Sequence, residues 1–442
     1  MQHHDKESFY PSNFRQADLL SFLEHIKLYH SVELIGMKRV GINNFLRFFL
    51  AQKSNYLGRK FMIIVVDLNN LIEREIFAFW RLTLKRIADV VGLSLLPRQV
   101  KEKIAHSFDV SIQTDDILVT FDGIREAVMN IVQNHYYPVF ILNRFDRLKD
   151  VVNPEFFDNL VAIQDAGHSK MSFIFTSYRE LEKLSPDVFC PFASSGFSQI
   201  MYMKPATLID MNIVAAPIEE QYDLKLDGKK RSQLFDLIGG HVQYLRLSLL
   251  SLHEYLKTDK NRHIPNFFAT LKNDERIVFQ SEELWESLTF PEQEIIKKIV
   301  FSERLHATDK THMSYLVKTG FVYKEKRRWQ VFSPLFFDYV VKRIQSKANE
   351  NGSEFTKQEY TLFTYLKEHL NQICERDQII NFVWPESSEW GASDWSLDKL
   401  IARVRTKLRS QQSSFQIVTA RTWGYKLIET GNPPSMQSYA LK

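Results

Sequence analysis

Two glycines follow the short apolar run SVELI in the stretch GMKRVGINNF, residues 36–45: Gly36 and Gly41. Their spacing is that of a phosphate-binding loop. In such a loop backbone N–H groups cradle an anion, a lysine holds the outer phosphate oxygens, and a hydroxyl ligates Mg²⁺. Here Ile42 stands in the lysine position and Asn43 in the hydroxyl position. Ile42 carries no charge, and Asn43 is a poor magnesium ligand beside a phosphate. Lys38 and Arg39 lie within the loop and can reach an anion, though not from the usual position. A second element bears on the same chemistry. Metal-assisted phosphoryl transfer uses an apolar strand that ends in acidic residues. The candidate, PVFILNRFDRL, has Asn143 and Arg144 in those places, with Asp146 two residues further on. Two losses at separate places argue against metal-assisted transfer, so no catalytic residue and no metal ligand is assigned. Gly36, Lys38, Arg39, Gly41 and Asn43 stay as the candidate nucleotide or anion site. N–H groups at a helix start attract anions without any hydrolysis, so ATP or ADP held without turnover is the alternative to a bare scaffold.

The other chemistry-bearing stretch is WSLDKLIARVRTKLRS. Leu397, Leu400, Ile401, Val404 and Leu408 recur at helical spacing and make one apolar stripe. The remaining faces carry Lys399, Arg403, Arg405, Thr406, Lys407 and Arg409. A helix with an almost wholly cationic polar face suits the major groove of duplex DNA. FQIVTARTWGYKLI then reads as a hairpin, with Arg421 and Thr422 at its turn and Gly424 giving backbone freedom. Such a wing can touch phosphates or the adjacent minor groove. A single surface lysine is usually just solvated; a run on one helix followed by a cationic wing points to DNA. The charged KEKRR, residues 324–328, reads instead as a solvated hairpin tip. Trp80 and Trp384 read as core, and His241 as a residue of the helical segment that follows the sheet.

These residues need elements to hold them. Up to residue 205, apolar β-like runs (SVELIG, KFMIIVVDLN, PVFILN, SFIFTS, SQIMYMKP) alternate with helical patterns. Alternation of this kind predicts a mostly parallel sheet covered by helices on both faces. In INNFLRFFLAQ the apolar face is Phe45, Leu46, Phe49 and Leu50. Residues 206–285 read as helical, broken at Gly239–Gly240 in LFDLIGGHVQYLRL; residues 286–346 read as helices with a short hairpin; KANENGSE, 347–354, is the linker candidate. Residues 354–429 form a second helix-then-hairpin unit, opened by Thr356 with Glu359 three residues on as a capping box. A polar tail, 430–442, ends the chain.

Composition agrees with a multidomain chain. Its 442 residues suggest about three domains. A 44% hydrophobic and 25% charged make-up, rich in aromatics, is that of a globular protein. Two cysteines, Cys190 and Cys374, exclude a disulfide framework or a zinc pattern and fit a reducing cytoplasm. No apolar signal core opens the chain, and no run approaches the ~18 residues of a membrane helix. Net charge is only +4, so any nucleic-acid affinity must come from a local patch.

Two resemblances follow from these motifs. SVELIGMKRVGINNFLRFFL, VFILNRFDRL, FIFTSYREL, GGHVQYL and FSPLFFDYV, taken in order, resemble the STAND branch of AAA-type P-loop ATPases over about residues 8–345. The resemblance implies a degenerate P-loop core (8–205), a helical lid (206–285) and a first winged helix (286–346), with nucleotide-driven switching as the family's activity. FTKQEYTLFTYL, LDKLIARVRTKL and TARTWGYKLI resemble the winged-helix output domain of OmpR-type response regulators over about 354–429. That implies a recognition helix in which the Arg403 position reaches a base and the Arg405 position a phosphate. Lys399 falls at another groove-facing position, and Arg421 and Thr422 at the wing. Together these predict a cytoplasmic regulator that binds double-stranded DNA, with the ATPase-like part as a non-hydrolysing sensing or assembly platform. It would form a dimer or larger assembly, answer to a protein or small-molecule signal, and have no membrane partner. An ATP-switched STAND signalling or defence protein, or an origin-binding DNA-maintenance factor, is the alternative.

Overall fold

The strands of the first unit are near-continuous apolar runs, and runs of that kind form sheets buried on both faces. In the computed structural model β1 (Ser31–Gly36), β2 (Phe61–Asp67), β3 (Tyr137–Asn143), β4 (Ser172–Ser177) and β5 (Ser198–Met203) pair in parallel, in the order β2-β3-β4-β1-β5. The structure describes residues 10–71, 73–193, 198–258, 269–349, 355, 357–384, 394–410, 413–420 and 423–429. The chain divides into two compact units after Lys342.

One sheet face is covered by α1 (Gln16–Lys27) and α2 (Ile42–Tyr56), where Phe22 stands edge-on to Phe45 and Phe49. The apolar face of α2 differs slightly from its expected set. Phe48 is buried with Phe45, Leu46 and Phe49, whereas Leu50 is only partly covered. The opposite core gathers α3 (Ile76–Gly92), α4 (Arg98–Gln113), α5 (Ile117–Gln133) and α6 (Pro154–Ala166). Trp80 is a core residue there, its ring stacked on Phe156 at 5.1 Å. α4 is polar overall and buries only Ile104 and Ser111, although Val100, Ile104 and Phe108 recur at helical spacing. Two short helices, α7 (Leu181–Leu184) and α8 (Pro186–Ala193), lie between β4 and β5.

Beyond the sheet come α9 (Leu208–Gln221), α10 (Gly228–Ile238), α11 (Val242–Thr258) and α12 (Glu275–Glu286). Then follow α13 (Phe290–Val300), α14 (Ala307–Lys318), the hairpin β6 (Val322–Glu325) and β7 (Arg328–Val331), and α15 (Pro334–Asn349). α15 runs into the stretch read as a linker, and residues 350–354 lie outside the described ones. The Gly-Gly break between α10 and α11 has a steric cause. Gly239 has φ 57°, and a Cβ there would sit 1.8 Å from the Phe332 carbonyl oxygen; at Gly240 it would sit 2.4 Å from that of Ala206. Only glycine fits where two backbones come this close.

The second unit holds α16 (Lys357–Glu368), β8 (Cys374–Glu375), α17 (Arg376–Val383), α18 (Asp394–Ser410), β9 (Phe415–Ala420) and β10 (Gly424–Glu429), with the sheet ordered β8-β10-β9. Its core is Leu362, Leu366, Ile379, Leu397, Leu400, Ile401, Val404, Leu408, Ile417 and Leu427, closed by Trp384. Among the described residues no helix is long and apolar enough to cross a membrane.

Candidate nucleotide loop and nucleic-acid interface

Because the strands are parallel and in register, their C-terminal ends share one edge. Ile35 pairs with Ser177 and Leu142 with Phe175. The loop after β1, the Asn143–Arg144 step and the Ser177–Arg179 segment therefore converge there. The loop runs from Gly36 to Gly41 and opens α2, whose N-cap is Gly41 at φ 120°. Protein groups hold it from outside. His241 Nε2 donates to the Lys38 carbonyl oxygen at 2.9 Å, and its Nδ1 accepts from the Tyr244 N–H at 3.3 Å. One donor and one acceptor describe a neutral imidazole. Complete burial, with the nearby Arg39 charge, pulls its pKa to about 4 against the raising effect of the Lys38 carbonyl. Val242 packs so closely on Gly41 that a Cβ there would lie 2.9 Å from its methyl. Arg39, at φ 61°, points its Nε at Glu283 of α12, 2.9 Å away. Lys38 holds its ammonium 4.7 Å from the Tyr178 ring, and its charge offsets part of the burial that raises the Asp146 carboxyl. Asn43 is half-buried at the helix start.

The positions where metal-holding acids would stand make a neutral network. Asn143 accepts from the Thr176 hydroxyl at 2.8 Å, and that hydroxyl accepts from the Arg144 N–H at 2.8 Å. Two residues after β4, Arg179 grips Glu292 of α13 through two 2.8 Å bonds and donates to the Ser287 carbonyl at 2.7 Å. It also stacks on Tyr315, 3.8 Å from the ring centre. Both charged side chains are nearly out of water, 7% and 6% exposed. Burial opposes the Arg179 charge, and the bonds to Glu292 outweigh it, so the guanidinium is held above its ordinary pKa. Tyr315 also donates to the Tyr178 carbonyl at 2.6 Å. The sheet edge and the helices beyond it thus meet through a dense set of specific contacts.

In the second unit α18 presents three faces. Leu397, Leu400, Ile401, Val404 and Leu408 are buried. Directly opposite, Ala402, Thr406 and Arg409 are exposed and Lys399 is half-exposed. One flank faces α16. There Glu359, 2% exposed, accepts from Lys407 at 2.8 Å and lies 3.6 Å from Arg403. The other flank faces the hairpin. Arg405 donates to the Ile417 carbonyl at 3.0 Å and to the Thr419 hydroxyl at 2.8 Å, and its guanidinium lies 5.6 Å from the Tyr425 ring. Burial lowers its pKa. Asp398 takes bonds from Arg376 and from the Tyr425 hydroxyl.

The sequence-identified residues therefore divide. Lys399 and Thr406 face outward. Arg403 and Lys407 share a flank with a buried acid, and Arg405 braces the hairpin. Arg421 and Thr422 lie outside the described residues, as does Thr356 of the expected capping box. Sequence reading missed Glu359 as the partner of the flank cations, since nothing local links residues that far apart. It also left Arg409 out of the site, although a helical projection places it opposite the apolar stripe.

Two outcomes follow. Arg179→Met strands Glu292 without a partner and lowers stability by roughly 3–5 kcal/mol, whereas Arg179→Met with Glu292→Leu recovers most of that loss in chemical denaturation. His241 titrates at its ordinary 6.5 when unfolded and near 4 when folded. The unfolded chain therefore takes the proton first as pH falls. The folded state loses up to about 3 kcal/mol between those two values and none above them. Thermal unfolding followed against pH shows this slope in the wild-type chain and a flatter one in His241→Gln.

Comparison with known proteins adds the following. Residues 350–427 match the family described as "Transcriptional regulatory protein, C terminal". The response regulator ArlR of Staphylococcus aureus, from strains Mu50 and MW2, is 37% identical over 81 residues, which are 18% of this chain and 36% of that protein. The chain thus spans little more than a third of these relatives. Among solved structures, a Walker-type ATPase of Pyrococcus abyssi overlaps 76% of this chain and 98% of its own, at 14% identity and TM-score 0.49. The Aeropyrum pernix ORC2 protein overlaps 78% and 99%, at 12% identity and TM-score 0.45. These overlaps are loose. The chain joins a five-stranded parallel sheet with a glycine-flanked loop after β1 to a C-terminal region similar to the transcriptional regulatory family.

Proposed function

We propose that this chain is a transcription regulator that reads duplex DNA with α18 and the β9–β10 wing. In this reading the P-loop-type part is a platform for sensing or assembly that does not hydrolyse nucleotide. The observation that carries it is the coincidence of the family match over residues 350–427 with the outward face of α18, where Lys399, Thr406 and Arg409 surround the small Ala402. A small residue at the centre of a cationic face lets the helix backbone approach base edges while its rims meet phosphates. Arg403 works from the α16 flank and Arg405 through the wing it braces. Lys407, Arg421 and Thr422 complete the proposed contact set. For the core, the support is chemical. Ile42 and Asn43 supply neither charge nor a magnesium ligand, and Asn143 and Arg144 replace acids. Gly36, Lys38, Arg39, Gly41 and Asn43 would hold at most an anion, ATP or ADP included, without turnover. One α18 helix reads a short half-site, so the working form is a dimer or larger assembly.

Fluorescence anisotropy of the full chain on a random duplex pool, titrated with salt, tests the DNA reading. Binding should weaken steeply with salt, and repeated selection should enrich a motif. Arg403→Ala should relax preference at one position, by roughly 1–3 kcal/mol, whereas Arg409→Ala and Arg405→Ala should weaken all sequences alike and lower the salt slope by about 1 each. Absence of binding at low salt would sink the reading. Phosphate release from Mg²⁺-ATP should equal that of buffer; turnover that Gly41→Val abolishes would make the core an active ATPase.

A further inference from the structure

The parallel sheet has a second edge, built unlike the first. The strands begin there, away from the glycine loop. Phe61 pairs with Tyr137, Val139 with Ser172 and Val32 with Ile174, so the connections that enter β2, β3, β4 and β1 lie side by side. These are residues 57–60, 134–136, 167–171 and 28–30, and none of them is an acid. Glu24 and Asp165 stay back on α1 and α6. Arg59, Lys60 and Lys170 are exposed, and among the described residues none of the three forms an ion pair. Three half-exposed rings share this edge. Tyr29 lies 5.1 Å from Tyr137 and 6.2 Å from Phe61, and Phe61 lies 5.4 Å from Tyr137. The backbone is bent to hold side chains here. α1, α5 and α6 end in the same cap: the His30 N–H donates to the His25 carbonyl at 3.0 Å, Tyr136 to Ile131 at 3.1 Å and Ser169 to Gln164 at 3.1 Å. That cap needs a left-handed residue just before the donor, and glycine is favoured there. Tyr29, His135 and His168 occupy those places instead, at φ 59°, 62° and 47°. A side chain in that region strains the backbone, and residues so held gather at functional sites.

We propose that this edge binds single-stranded nucleic acid, with bases resting on the Tyr29–Phe61–Tyr137 cluster and phosphates meeting Arg59, Lys60 and Lys170. Charge selects a polyanion, since the connections offer cations and no acid. The rings select its form. Every base has a face that stacks on an aromatic ring, and a duplex keeps those faces inside. A duplex or an acidic peptide would use the cations and leave the rings idle. The two kinds of contact are separable. Cations that meet phosphates release counterions and set the salt dependence, and stacking does not. The site does not depend on the duplex reading of α18, which belongs to the other unit.

The test is fluorescence anisotropy of the full chain on labelled oligothymidylate and oligouridylate of about 15 nucleotides, two probes that separate DNA from RNA as the preferred strand. Wild type should bind, and binding should weaken with salt. Arg59→Ala combined with Lys60→Ala should lower the salt slope by about 0.7 for each cation lost. Tyr29→Asn suits the left-handed backbone and should weaken binding on the order of tenfold at unchanged slope, whereas Tyr29→Phe should keep most of the affinity. The charge variant alters exposed side chains alone and keeps the test intact should Tyr29→Asn fail to fold. Absence of wild-type binding to both oligomers at low salt would overturn the proposal. Equal competition by duplex or polyglutamate, with no effect of Tyr29→Asn, would also overturn it and reduce the edge to a cationic surface. A loss confined to Lys399→Ala with Arg409→Ala would do the same by placing the strand on α18. Binding of the oligomers without binding of any duplex would sink the α18 reading and leave this one standing.

Discussion

A guanidinium and a carboxylate taken together out of water hold the first unit in register. Arg179 comes from the end of β4, Glu292 from the first turn of α13, and the same carboxylate accepts the Thr289 N–H at 2.8 Å. Desolvation consumes most of the attraction in such a pair, so its net contribution to stability is small. Its rupture is costly, however, because either partner left alone is a buried charge. The pair therefore fixes position more than it adds strength. The neighbouring contacts, Tyr315 on Tyr178 and Arg39 on Glu283, share that alignment and would be lost with it.

The loop after β1 is held by contacts of its own. A loop that binds nucleotide aims cations inward at phosphate. Here Arg39 is turned to Glu283 and Lys38 to an aromatic ring, while a neutral histidine and a valine close on the loop from α11. The loop is thus secured from several sides by the protein's own side chains.

Much of this was legible in the sequence. Parallel strands follow from unbroken apolar runs, and the stripe from Leu397 to Leu408 gives the buried face of α18. The Gly-Gly break marks a true junction. What was not legible depends on distant partners. The burial of Glu359 is decided by helix packing, and a local reading sees only an acid at a helix start. Arg403, Arg405 and Lys407 look equivalent in sequence, yet tertiary contacts set Arg403 and Lys407 beside Glu359 and turn Arg405 to the hairpin. Asn143 reads as a missing acid, and only the sheet register reveals its bond to Thr176.

The placement of β1 bears on how the chain is made. It is wholly buried, lies between β4 and β5, and precedes both: Val32 pairs with Ile174, and Ser31 with Ser198. A ribosome releases this strand early and its two neighbours late. Until residue 203 has emerged, an apolar segment with two open hydrogen-bonding edges waits without its partners. Long-range parallel pairing of this kind is slow and exposed to aggregation. The first unit thus has an inner strand, β1, whose place in the sheet is completed only when β4 and β5 have been made.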